Sequence, residues 1–142
     1  MFSSFVQVSQ LRIDDAQAIF VIALVRVHFG CLQTIGQRVL RLLGQRGWQP
    51  LARQWRCRWG EIDLLVHKPG RLLLVEVKGR RRCGRDGWGV AALDRRKRRR
   101  LEASYGLWLV QHPGYHDCSL ELVCALVPLP PVRAPVRWVR WG

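Results

Sequence analysis

The sequence predicts an α/β domain: a small mixed β-sheet with flanking helices. Three observations carry this. Residues 61–67 (EIDLLVH) and 71–80 (RLLLVEVKGR) are nearly continuous apolar runs around the turn KPG, the pattern of strands covered on both faces. Stretches with helical spacing lie on either side of them, at residues 34–47 and about 90–110. The resulting order is helix, strand, strand, strand, helix, strand, which describes one sheet with helices packed on it. At 142 residues the chain is expected to be one domain with a sizeable core.

Residues 1–30 form a separate compositional block. Arg12 and Arg26 are balanced there by Asp14 and Asp15, so the whole net charge of +14 lies beyond residue 30. The apolar run AIFVIALV (18–25) is far below the ~20 residues of a membrane span, and it lacks the basic leader and cleavage pattern of a signal peptide. Residues 1 to about 24 are expected to be a dispensable extension, or the product of a start site assigned too far upstream. The competing expectation is that AIFVIALV packs on the domain, since eight consecutive apolar residues do not stay in water.

The main body of the domain spans residues 31–127 on this reading. TIGQRVLRLLGQRG predicts a helix with Thr34 as N-cap, Gln37 closing a capping box, a stripe of Val39, Leu42 and Leu43, and a stop at Gly47. WQPLARQWRCRW predicts an extended strand, with Pro50 marking an edge or a bend. The two apolar strands follow, then a basic glycine-rich loop, RRRCGRDGWG. The second helix carries a stripe of Val90, Leu93, Leu101, Ser104 and Trp108. SLELVCALV (119–127) is the last strand, and residues 128–142 form a proline-rich basic tail read as extended.

Charge and cysteine usage narrow the function. A body this basic attracts polyanions, nucleic acid first; a solvated basic surface on a ribosome- or membrane-associated protein is the plainer alternative. Five cysteines, odd in number and without a CxxC pair, suggest neither a disulfide framework nor structural zinc. His116 and Cys118 are only two ligands in one loop. Reduced thiols fit a cytoplasmic location.

Three of the ten acidic residues fall within sixteen positions, in the most apolar part of the chain. Side chains two apart on a strand share a face, so Glu61 with Asp63, and Glu76 with Lys78, point the same way. In an antiparallel pair, Val66 opposite Arg71 sets Glu61 against Glu76; His67 opposite Leu72 sets Asp63 against Glu76. In either register Asp63 and Glu76 lie within roughly 5–8 Å at Cβ. Two buried carboxylates that close repel each other. Mg²⁺, or Mn²⁺ in its place, resolves this by taking one or two carboxylates plus waters and a phosphate oxygen, with Lys78 beside them to stabilise developing charge. The alternative is a structural cluster in which Lys78 neutralises Glu76. On spacing alone the two stand even; the basic body favours metal-assisted phosphodiester hydrolysis.

Asp63, followed on the next strand by Glu76-Val77-Lys78, resembles the D…(D/E)-x-K signature of restriction-endonuclease-like nucleases. GEIDLL with VEVKGR and a later helical lysine is similar to the YraN-like family, classed with Holliday-junction-resolvase-like nucleases, over roughly residues 33–127. The resemblance implies a restriction-endonuclease-like fold, Asp63 and Glu76 as metal ligands, Lys78 as the catalytic lysine, and a DNA substrate; such relatives often act as homodimers. It also marks Lys97 in RRKRRR, which falls on the apolar stripe of the second helix and should face the sheet; the plainer reading is a lysine snorkelling to the surface. The chain has Gly36-Gln37 where the family has Gly-Glu, so Gln37 brings an oxygen without the charge, and Glu61 is the acid left to compensate. Arg80, Arg81, Arg82 and Arg85 read as a phosphate-contacting loop, and Arg98, Arg99 and Arg100 as a basic face; solvated charge is the alternative for both. Trp55, Trp59, Trp138 and Trp141 beside arginines could stack on unpaired bases or simply pack. The rival to a nuclease is a non-catalytic nucleic-acid-binding module with a degraded metal site.

Overall fold

A computed structural model describes residues 34–81 and 94–141. The N-terminal extension, the alternative packing of AIFVIALV, and the loop arginines Arg82 and Arg85 lie outside the described residues. Everything described belongs to one unit, Leu32–Gly142.

The first helix, α1, covers residues 34–44. Thr34 is already helical rather than a cap residue outside the helix. Ile35, Val39 and Leu43, spaced by four, bury one face. Gly47 ends the helix with φ +81°, and the Trp48 N–H reaches back to the Leu43 carbonyl at 3.1 Å.

Five strands form one mixed sheet in chain order: β1 (Gln49–Cys57), β2 (Gly60–Lys68), β3 (Arg71–Arg80), β4 (Ser119–Pro128) and β5 (Arg137–Arg140). β1–β2 and β2–β3 are antiparallel hairpins, β3–β4 is parallel, and β4–β5 is antiparallel. Pro50 sits on the edge strand, and the β1–β2 register shifts between Pro50 and Ala52, so the residue that cannot donate to a ladder is placed at a bulge on an edge. A parallel pair needs a crossover; it contains α2 (Arg95–Gln111), which begins after the N-cap Asp94 rather than at Val90. The tail is extended as expected, but its end pairs with β4 as a fifth strand, an element absent from the sequence reading.

Strand alternation sends side chains to two separate cores. Leu64, Val66, Leu73, Val75, Val123 and Ala125 pack under α1. Leu65, Leu72, Leu74 and Leu122 pack under α2 through Leu101 and Trp108. Each fully buried Leu or Val contributes about 1.5–3 kcal/mol relative to exposure, and the central strands β2, β3 and β4 are covered on both faces. That explains their unbroken apolar runs. Among the described residues no helix is long and apolar enough to cross a membrane.

Candidate functional site

The residues GEID build one wall of a cleft. β1 and β2 join through a two-residue turn, Arg58-Trp59, closed by the Cys57–Gly60 pair. Gly60 takes φ +148°, a region open mainly to glycine. A Cβ there would have ordinary room, 3.9 Å from Ser104 Oγ, so the demand for glycine comes from the backbone. Glu61 accepts a hydrogen bond from Arg56 Nε at 3.0 Å, across the β1–β2 pair. Ile62 is fully buried against the α2 core.

β2 and β3 adopt the register in which His67 pairs with Leu72, the second of the two considered. Continued one step, it would set Asp63 opposite Glu76. The ladder instead stops at Leu64–Val75, and Asp63 Oδ2 accepts the Val77 N–H at 2.8 Å. The carboxylate thus satisfies a backbone donor that the ladder no longer serves. Burial, and then repulsion by Glu76, push the Asp63 carboxyl from 3.8 up to about 7, against the pull of the Val77 N–H and Lys97.

Glu76 is only 5% exposed. It lies on the same face of β3 as Leu72 and Leu74, toward α2. Lys97 Nζ donates to Glu76 Oε1. The first turn of α2 is fixed for this task by its cap: the Asp94 carboxylate accepts from the Lys97 N–H at 2.6 Å. The cation paired with Glu76 is therefore Lys97, not Lys78, which corrects the structural alternative raised for Lys78. Lys78 is half-buried two residues further along the same face. Cys124, opposite Glu76 on β4, is an inert thiol: burial and the Glu76 charge raise it to about 11.

These elements enclose a cleft of about 580 Å³. Asp63 and Glu76 lie at its floor with Lys97, and Glu61 lines the same cleft. Exposed Arg96 and Arg100 belong to its rim. The hairpin tip is tied to α2 by Arg100 Nε, which donates to the Trp59 carbonyl at 3.0 Å, and by Cys57 Sγ on Ser104 Oγ at 3.3 Å.

Other predicted residues fall elsewhere. Gln37 is exposed on α1, whose buried face packs on the opposite side of the sheet, and it does not line the cleft. Arg80 ends β3, and exposed Arg81 follows it. Arg98 pairs with Glu102 at 2.8 Å and donates to the Trp141 carbonyl at 3.3 Å, so it turns toward β5, whereas Arg99 is exposed. Glu121 of β4, an acid not among the predicted site residues, is held by Arg71 at 2.5 Å and Arg140 at 3.4 Å and does not line the cleft. The sequence reading missed Arg96 as a lining residue and Asp94 as the cap. An Asp three positions before Lys97 is an N-cap signal that could have located the true helix start.

The donor set suits a hard divalent cation. Two carboxylates converge, and burial, followed by the charge of Glu76, raises the Asp63 carboxyl to about 7, a cost that a bound cation would relieve. Among the described residues, no group of three His, Cys, Asp or Glu side chains gathers to hold a metal on its own. Such an ion would depend on waters or substrate oxygens for the rest of its shell.

A family model described as "Uncharacterised protein family UPF0102" matches residues 36–125. A UPF0102 protein of Prochlorococcus marinus (strain MIT 9303) is 53% identical over 104 residues, covering 73% of this chain and 82% of the relative. A UPF0102 protein of Parasynechococcus marenigrum (strain WH8102) is 48% identical over 103 residues, covering 72% and 75%. One of Halorhodospira halophila is 42% identical over 83 residues, covering 58% and 68%. The matched span begins within α1 and ends in β4, and it includes both strands of the acidic pair.

Proposed function

The chain belongs to the UPF0102, or YraN-like, family, and from that premise we propose that it is a Mg²⁺-dependent nuclease acting on DNA phosphodiester bonds. The observation that supports the reading is the convergence of Asp63, Glu76 and Lys97 in a cleft rimmed by Arg96 and Arg100, within a chain of net charge +14. Asp63 and Glu76 would hold the ion, which when bound supplies Lewis-acid activation of the phosphodiester. The chain's own groups do the rest. Val77 N–H fixes the Asp63 carboxylate in place. Lys97 exchanges its Glu76 contact for a phosphate oxygen and offsets charge that develops there. Lys78, on the same face of β3, adds a second positive charge near the reacting group. Arg96 and Arg100 contact flanking phosphates, which positions the strand without reading its sequence.

One observation favours a second reading. Glu76 is already satisfied by Lys97, so the pair can stand as a structural ion pair in a non-catalytic nucleic-acid-binding module. A panel of branched, single-stranded and duplex DNAs, incubated with Mg²⁺ or with EDTA, separates the two. Metal-dependent nicking of any panel member supports the nuclease. Salt-sensitive binding with no nicking in Mg²⁺ or Mn²⁺ supports the binding module.

A further inference from the structure

Of the seven tryptophans, Trp88 lies outside the described residues. Five of the remaining six have structural employment. Trp108 is buried under the sheet, Trp55 and Trp141 pack against the α2 core, and Trp48 and Trp138 pack against the α1 core. Trp59 packs in neither core and exposes 43% of its surface. An indole left in water costs free energy, and this one is held there by structure around it. The turn that carries it is only two residues long and is closed by Gly60 at a φ that other residues avoid. Its carbonyl is clamped by Arg100 of α2. The Arg58 guanidinium lies 4.9 Å from the ring centroid and backs the ring as a cation–π partner. Trp59 is a lining residue of the same cleft as Asp63 and Glu76.

An exposed indole, backed by a guanidinium and flanked by cationic side chains, matches the chemistry that binds an unpaired nucleobase. The base stacks on the ring while the arginines hold its phosphates. A base inside a duplex is already stacked on its neighbours and offers no free face. We propose that Trp59 is a stacking platform that selects nucleic acid with an unpaired base next to the reacting phosphate, so that the preferred substrate is single-stranded or carries a loop, flap or gap. This rests on the nuclease reading for the identity of the reacting phosphate; the stacking itself does not need catalysis.

The test is fluorescence anisotropy with the full chain in EDTA, using a labelled fifteen-nucleotide oligothymidylate and a blunt-ended duplex of two fully paired strands as probes. Trp59→Ala should weaken binding to the single strand by about 5- to 100-fold while changing duplex binding less than about 2-fold. Trp59→Phe, which keeps a π face, should retain most of the affinity. The ring is outside both cores, so the unfolding midpoint of each variant should stay at the wild-type value. Equal weakening on both probes, or no weakening on either, overturns the proposal, as does Trp59→Phe behaving like Trp59→Ala. Wild-type protein that binds both probes but nicks no member of the branched, single-stranded and duplex panel in Mg²⁺ or Mn²⁺ defeats the nuclease reading alone, and the contrast between the probes still decides the stacking.

Discussion

Asp63→Asn should make the protein more stable at alkaline pH, and the size of the gain follows from the site. The Asp63 carboxyl rises from 3.8 to about 7 because it is buried beside Glu76. The folded state therefore holds a proton through the window from about pH 4 to pH 7 that the unfolded chain has released. Stability supplied by this group is fully present below the unfolded value and is lost as pH rises through the folded one. The slope is at most about 1.4 kcal/mol per pH unit, and the upper bound over the window is about 4 kcal/mol. Partial exposure and the nearby Lys97 reduce the expected total to about 2–3 kcal/mol. Asparagine has no charge to lose, and its carbonyl oxygen can still accept the Val77 N–H. Urea unfolding of both proteins in EDTA at pH 4.5, 6 and 8 tests this. The curves should nearly coincide at pH 4.5, and the variant should lead by about 2–3 kcal/mol at pH 8. Adding Mg²⁺ at pH 8 should narrow the gap, because only the wild-type chain has the carboxylate to bind it. Parallel pH profiles, or a variant less stable at pH 8, would refute the claim that Asp63 is a strained acid held beside Glu76.

Three further outcomes follow from the same geometry. Lys97→Met should leave Glu76 buried without its partner and cost about 1–3 kcal/mol in urea unfolding, less than for a fully buried pair because Lys97 is partly exposed; a neutral effect would show that water replaces the lysine. Gly60→Ala should cost about 1 kcal/mol or more through its positive φ rather than through a clash, and a thermal midpoint equal to wild type would show that the turn relaxes freely. Replacing Arg98, Arg99 and Arg100 together by Ala should lower the salt slope of duplex binding by about 0.9 per lost phosphate contact; most of the drop should come from Arg99 and Arg100, since Arg98 is engaged with Glu102 and the Trp141 carbonyl. An equal share from Arg98→Ala alone would contradict that assignment.

The strands at the centre were legible because burial on both faces leaves a simple trace, an apolar run bounded by a turn. The pairing of β2 with β3 could be narrowed to two registers, and the observed one aligns Asp63 with Glu76. The place where the ladder stops left no such trace. Asp63 taking over the Val77 N–H depends on two strands parting by one pair, which neither propensity nor alternation records. The partner of Glu76 was legible only in part. The stripe of α2 pointed Lys97 at the sheet, but which lysine would reach Glu76 depends on how far α2 lies from β3. β5 was hidden by its prolines: PPVRAPVRWVR reads as a tail, and only pairing to the free edge of β4 makes its last residues a strand. Gln37 was tied to the acidic pair by resemblance, while the fold carries it on the helix that covers the other face.

The central claim is that Asp63 and Glu76 form a metal-binding pair for phosphodiester hydrolysis. The most direct test is nicking of a panel of branched and single-stranded DNAs by wild type, Asp63→Asn and Glu76→Gln, with binding to the same DNAs measured in parallel. The account predicts nicking by wild type in Mg²⁺ but not in EDTA, none by either variant, and binding by both variants equal to or tighter than wild type because a negative charge near phosphate is gone. Cleavage that survives in either variant, or binding lost in both to the same degree as cleavage, would contradict it.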